Sequence, residues 1–287
     1  MKLREIIDQE TMARRSTIGG EKYGIEVELE NTRSISSSGR ELWRGVTDHS
    51  LRGGFELVSI PLPYSQVSIA LTELPSDLRK HSSHRTSVHI HSNCMHLEIG
   101  EIAYRWALWL LNEAIITDLL CPERKHNNFC ASPLYSFANW SIFSDPLTIL
   151  RGTDNRYQSV SSYNLLNVGK SGVIYGTLEW RAFTLPASSS DIMTYVNVIK
   201  CLNEFAKELY AEERPLADVF RMHANDPLVF ARKALEMPVE IDAIRYKQLL
   251  TNLWNKGILP QMLSPLTAPN DFTREEISFN QDSIWSD

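Results

Sequence analysis

The chain has 287 residues, 43% of them hydrophobic, and a formal net charge of -6 at pH 7. That is enough apolar material for one large domain or two modest ones, and the acidic balance with no visible basic patch argues against general nucleic-acid binding. Four cysteines, Cys94, Cys121, Cys130 and Cys201, form no C-x-x-C pair, which excludes a zinc knuckle and a disulfide-dense secreted domain. The first ten residues interleave charge with apolar side chains and so do not read as a signal peptide. The longest apolar stretch, around Trp106 to Leu111, is too short to span a bilayer. The expectation is a soluble protein of the reducing cytoplasm with no membrane partner.

Residues 1–20 read as a short amphipathic helix and a polar connector packed on the outside of the protein. At 23–31 the run Gly24-Ile25-Glu26-Val27-Glu28-Leu29-Glu30 has a period of two, which in a strand puts the carboxylates on one face and the apolar residues on the other. Like charges that close repel unless cations sit among them. A Ser-rich loop at 34–40 precedes a second strand through Leu42 to Val46. The Gly53-Gly54 turn leads into a third strand, Phe55 to Ile60, which carries Glu56 and is stopped by Pro61.

Residues 65–80 suit a helix that Pro75 ends early. Arg85 to Asn93 alternates again and sets His89 and His91 on one face. A long core helix covers 98–120 and is closed by Pro122. The polar, basic stretch 122–130 is a candidate phosphate or substrate loop, and 132–147 has helical packing character. Residues 156–166 and 172–183 read as two strands of a hairpin turning at 168–171. An amphipathic helix after Pro186, capped by Ser190 or Asp191, is followed by shorter helices at about 215–223, 226–237 and 240–256 and by a polar tail. Strands with intervening helices and then a helical carboxyl third indicate an α+β protein with a mainly antiparallel sheet.

Two chemical motifs fail on inspection. Gly169-Lys170-Ser171 lacks the earlier glycine of a phosphate-binding loop, since position 164 is Asn164. Asp48, His49 and Ser50 are sequence neighbours that cannot adopt a hydrolase triad's geometry, and no G-x-S-x-G elbow is present. The stronger set is four strand-borne motifs: Glu26-x-Glu28, Glu56, His89-x-His91 and Glu179-x-Arg181. A spacing of two keeps each pair on one face. Carboxylates outnumbering imidazoles make an oxygen-rich site suited to Mg²⁺ or Mn²⁺. An arginine beside them suits a phosphate.

These motifs, with Asp48-His49-Ser50, Gly54-x-Glu56-Leu57-Val58-Ser59, Arg124-x-x-Asn127, Arg156-Tyr157 leading to Asn164, and Thr177-x-Glu179-x-Arg181, occur in an order that resembles the amidoligases. That family is of the glutamine synthetase and glutamate–cysteine ligase type, and the likeness spans roughly residues 22–205. One departure is Thr86-Ser87-Val88, where many relatives carry a glycine shortly before H-x-H. The resemblance implies a curved antiparallel sheet of the glutamine synthetase catalytic-domain type with flanking helices. It divides the chain into an N-terminal helix and connector at 1–20, a catalytic domain at 21–213 and a helical extension with a polar tail at 214–287.

The activity implied is ATP-dependent joining of a small-molecule or peptide carboxylate to an amine through an acyl phosphate. Glu26, Glu28, Glu56, His89, His91 and Glu179 would hold Mg²⁺ or Mn²⁺, whereas Glu30 lies beyond the matching motif and is expected as a surface residue at the strand's wet end. Arg181, Glu179 and Arg85 would serve the transfer, and Arg124, Asn127, Arg156, Asn164 and Arg181 would contact ATP. Two other readings stay open: a zinc-dependent hydrolase built on the H-x-H strand, and a non-catalytic binding protein on a ligase-like fold. Substrate identity and oligomeric state are not encoded in any motif.

Overall fold

The structure, a computed structural model, describes residues 2–6, 20–32, 41–124, 130–131, 158–166, 175–225 and 227–236. Asn127, Arg156, the helix expected at 132–147, the turn at 168–171, the Ser-rich loop and the chain beyond 236 lie outside the described residues.

Six strands form one sheet in the order β2-β3-β1-β4-β6-β5. They are β1 (Tyr23–Leu29), β2 (Trp43–Asp48), β3 (Gly54–Ser59), β4 (Ser87–Asn93), β5 (Val160–Ser161) and β6 (Thr177–Thr184), and every neighbouring pair is antiparallel. The α+β class and antiparallel sheet therefore match expectation. Alternation explains the layering. Ile25, Val27 and Leu29 of β1, Val88 and Ile90 of β4, and Leu178 and Trp180 of β6 are all buried in one apolar core. The helices α2 (Tyr64–Thr72), α3 (Ile99–Leu120) and α4 (Ser189–Ala211) contribute their apolar stripes to that core. Trp109 of α3 meets Phe183 edge to face, and Phe183 stacks on Tyr195 of α4 at 4.5 Å. Two short helices, α5 (Leu216–Asn225) and α6 (Pro227–Leu235), pack beside α3 and α4. No helix of the described residues is long and apolar enough to cross a membrane.

Some boundaries differ from expectation. Of the amino-terminal segment expected at 1–20, the structure describes residues 2–6 and 20. In α1 (Leu3–Ile6), Leu3 is fully buried and its N–H donates to the carbonyl of Leu97, because a single leucine finds the core edge beside the start of α3. Helix α2, by contrast, stops at Thr72, before Pro75 as expected, and a separate 3₁₀ turn, Arg79–His81, follows. The cap of α4 is Ser188, whose extended backbone lets its Oγ accept from the Ser190 N–H, rather than Ser190 or Asp191. Of the described part of the strand expected at 156–166, residues 158–166, only Val160–Ser161 forms a strand paired with β6, and the chain then coils into the 3₁₀ turn Tyr163–Leu165.

One irregularity in β6 decides which side chains face away from the helices. Ile90 pairs with Trp180 and Val88 with Phe183, so one residue of β4 opposes the two residues Arg181 and Ala182. This is a β-bulge. Even-numbered Leu178 and Trp180 point into the core before it, and odd-numbered Phe183 does so after it. The extra residue lets Glu179 and Arg181 share the opposite face without taking Phe183 out of the core. Just before β6, Gly176 adopts a φ of +61°. Its N–H donates to Asn164 and its carbonyl accepts from Cys94, a conformation that favours a residue without Cβ.

Candidate functional site

The face of the sheet turned away from the helices is polar, and register alone assembles it. Glu28 lies opposite Glu56 across β1 and β3, Glu26 opposite His89 across β1 and β4, and His91 opposite Glu179 across β4 and β6. Strands distant in sequence thus bring the predicted carboxylates and imidazoles to one patch. His89 Nδ1 lies 3.1 Å from Glu26 Oε2 and 3.4 Å from Glu179 Oε1. His91 Nε2 lies 3.3 Å from Glu26 Oε1 and 3.9 Å from Glu179 Oε1, and makes no well-formed hydrogen bond to either.

Two three-residue groups have ligand atoms mutually within 4.8 Å: Glu26, His91 and Glu179, and Glu26, Glu56 and His89. Glu26 is common to both. Two oxygens and one nitrogen in each group fit a divalent cation that accepts oxygen with limited nitrogen, such as Mg²⁺ or Mn²⁺. The buried His91 Nε2 lacking a good partner is the kind of atom such an ion would satisfy. Glu28 lies to one side. Its Oε2 accepts from Ser87 Oγ, and its Oε1 is 3.7 Å from His89 Nε2.

A set of neighbours holds these groups from behind. Asn164 Nδ2 donates to Glu179 Oε2 at 2.9 Å. Thr177 Oγ1 is 3.0 Å from His91 Nδ1, and Ser87 Oγ is 2.8 Å from His89 Nε2. Arg181 donates from Nη1 to Glu179 Oε1, and the same nitrogen is 3.4 Å from His89 Nδ1. Arg124, in the 3₁₀ turn Pro122–Arg124, is buried and donates from Nη2 to the carbonyl of Arg181. Its Nε and Nη1 are buried without a hydrogen-bond partner among the described residues.

The electrostatics follow from crowding. Burial raises the Glu56 carboxyl, and the neighbouring Glu26, Glu28 and Asp48 raise it further, to about 9. Burial also acts to raise Glu26, but His91 and His89 outweigh it and hold that carboxyl well below the usual range. In the adjacent pair, therefore, Glu56 keeps a proton and Glu26 is ionised. Burial opposes charge on Glu179 too, yet Arg181 and the two histidines keep it below the usual range. For His91, burial acts downward while Glu26 and Glu179 carry it above an ordinary imidazole.

Two expectations are corrected or refined at the edge of this patch. Glu30 was expected on the wet surface at the strand's end but is buried at 4% exposure. The cause is the β2–β3 turn folding over it: the Arg52 N–H donates to Glu30 Oε1 at 3.0 Å, and Arg85 Nε lies 3.8 Å from the same oxygen. Arg85, expected to serve the transfer, also donates to the carbonyl of Ser50. Ser87 and Thr177, which back the two histidines, were not singled out as functional. The signals in the sequence were their place two residues from a predicted ligand on the same strand and, for Thr177, its place in the Thr177-x-Glu179-x-Arg181 motif.

No protein-family model and no curated protein matches the chain. Among solved structures, one described as a novel glutamine synthase homolog aligns at 12% identity with a TM-score of 0.33, covering 98% of this chain and 74% of its own.

Proposed function

We propose that the protein is an ATP-dependent carboxylate–amine ligase that works with Mg²⁺ or Mn²⁺ on the polar face of its sheet. The observation that carries this reading is the convergence of Glu26, Glu56, His89, His91 and Glu179 from β1, β3, β4 and β6 into two overlapping ligand groups with Arg181 beside them. Glu26, Glu56, His89, His91 and Glu179 would hold the ions, which when bound supply positive charge to the β- and γ-phosphates of ATP. Arg181 would oppose charge developing on the transferred group, a task suited to a planar guanidinium. Arg124, whose Nε and Nη1 are buried without a hydrogen-bond partner among the described residues, supports an anion beside β6.

In the reaction proposed, an oxygen of the substrate carboxylate attacks the γ-phosphorus and ADP departs, leaving an acyl phosphate. The amine nitrogen then attacks the acyl carbon, phosphate leaves, and the nitrogen loses a proton to give the amide. The test is a mass-spectrometric screen for amides and ADP with ATP, Mg²⁺ and mixed carboxylates and amines. Products that disappear in Glu179→Ala support the assignment; full ligation in that variant refutes the site. The zinc-hydrolase reading is favoured by one observation, that each ligand group contains an imidazole. Stoichiometric zinc without nucleotide binding would select it.

A further inference from the structure

We infer that the open edge of β2 is a self-complementary surface through which two copies of the chain pair antiparallel about a two-fold axis at Val46. This pairing is independent of the reaction proposed above. β2 is the outer strand of the sheet, with no further strand beside it among the described residues. Arg44, Gly45, Val46 and Thr47 are all exposed. An open edge of this kind invites another strand, and proteins blunt it with proline, a bulge or a very short strand. β2 has none of these devices. It runs six residues without proline, in unbroken register with β3, whereas β5 at the opposite edge has only two residues. Both ends of β2 are also tied down. Trp43 Nε1 donates to the carbonyl of Ala70 at 2.8 Å, and the Ser50 N–H donates to Asp48 Oδ1 at 2.8 Å. Such an edge is held ready, so little ordering opposes its pairing.

Hydrogen-bond parity decides which residues face outward. The Ile60 N–H donates to the carbonyl of Leu42. In the ladder that follows, Arg44, Val46 and Asp48 direct their backbone groups at β3, and Trp43, Gly45 and Thr47 direct theirs at the open side. Outward residues can pair only with outward residues, so a two-fold axis passes through one residue of the strand. About Gly45, Arg44 would face the partner's Val46, and about Thr47, Val46 would face the partner's Asp48. About Val46 the side chains match. Val46 then meets the partner's Val46, Arg44 meets the partner's Asp48 on either side, and Gly45 exchanges backbone hydrogen bonds with the partner's Thr47. Opposite charges facing each other across strands stabilise a sheet, and like charges destabilise it. Val46 also gains cover: it lies opposite Glu56 on the polar face and is 40% exposed. The axis stands perpendicular to the sheet, so both polar faces open to the same side. The two Glu56 positions are then three strand spacings apart, about 14 Å.

Sedimentation velocity of the full chain, from low to high micromolar concentration, should show a reversible dimer. Arg44→Glu sets like charges opposite Asp48 on both sides of the axis and should weaken the dimer by about tenfold or more, whereas Arg44→Lys should retain it. Circular dichroism checks that both variants fold. Cross-linking tests the register separately. At the axis the two Cα atoms of position 46 lie about 4.5 Å apart, within reach of a disulfide, so Val46→Cys should give a covalent dimer on mild oxidation. Position 44 lies about 13 Å from its own symmetry mate, so Arg44→Cys should not. A chain that stays monomeric at every concentration, with its edge left to water or taken by a different protein, overturns the inference. So does a dimer that is insensitive to Arg44→Glu or that Val46→Cys fails to cross-link.

Discussion

Replacing Glu56 by glutamine should flatten the pH dependence of stability in the metal-free protein. The folded carboxyl titrates at about 9, whereas an unfolded glutamate titrates near about 4.3. A group raised on folding contributes stability that is complete below its unfolded value and is lost as pH rises through the folded one. Between those limits the native state holds the extra proton, and stability falls by up to about 1.4 kcal/mol per pH unit. Glu56 retains some exposure, and water screens its neighbours' charges, so about half that slope is a reasonable magnitude. Between pH 6 and pH 8 the wild type should then lose about 1.5 kcal/mol more than Glu56→Gln. The raised His91 slopes in the same direction but is present in both proteins, so it largely cancels in the difference. Urea denaturation at pH 6, 7 and 8 in EDTA measures both. Parallel slopes would refute the claim that Glu56 holds its proton against Glu26.

The acid side behaves in the opposite sense. Glu26 and Glu179 are lowered on folding, so they stabilise above the unfolded value of about 4.3 and that contribution is lost as pH falls through their folded values; Glu179→Gln should shift the acid-unfolding midpoint, measured by circular dichroism. Arg124→Gln should weaken nucleotide binding in the presence of Mg²⁺ by at least about tenfold, the loss of roughly one charge-assisted hydrogen bond of about 1.5 kcal/mol or more, while leaving Mn²⁺ affinity in the absence of nucleotide unchanged; calorimetry separates the two. Trp109→Ala, which empties a fully buried site against Phe183 and breaks the 3.0 Å bond to Ser159 Oγ, should cost about 3–5 kcal/mol in urea unfolding.

The site was legible where it depended on strand periodicity. Glu26 with Glu28, His89 with His91, and Glu179 with Arg181 are each two residues apart, and in an extended chain that spacing places each pair on one side whatever the neighbouring strands do. The long helices were legible for the same local reason, since the apolar spacing in 99–120 and 189–211 requires one buried stripe. Pairing between strands was not. That Glu26 meets His89 and Glu28 meets Glu56 is a property of register, which is settled by the core on the other face of the sheet. Glu30 was misread because its burial comes from the turn around Arg52, a contact between segments whose meeting no local pattern announces. Ser87 stood out only as part of the Thr86-Ser87-Val88 departure, and its contact with Glu28 depends on β1 arriving beside β4.

The bulge in β6 joins these two kinds of information. Leu178, Trp180 and Phe183 all belong to the core, and no unbroken alternation can bury all three while keeping Glu179 and Arg181 together on the other face. The sequence Thr177-Leu178-Glu179-Trp180-Arg181-Ala182-Phe183 therefore contains a conflict in period that an extra residue resolves. Small Ala182 occupies the position where the phase changes. The packing of Phe183 between Trp109 and Tyr195 then holds the far side of the bulge in place. An apolar contact on the helical side thus helps set the position of Arg181 on the polar side. The cost of gathering Glu26, Glu28, Glu56 and Glu179 around few positive groups is met by that shared core, by protonation of Glu56, and, on the reading proposed here, by a bound cation.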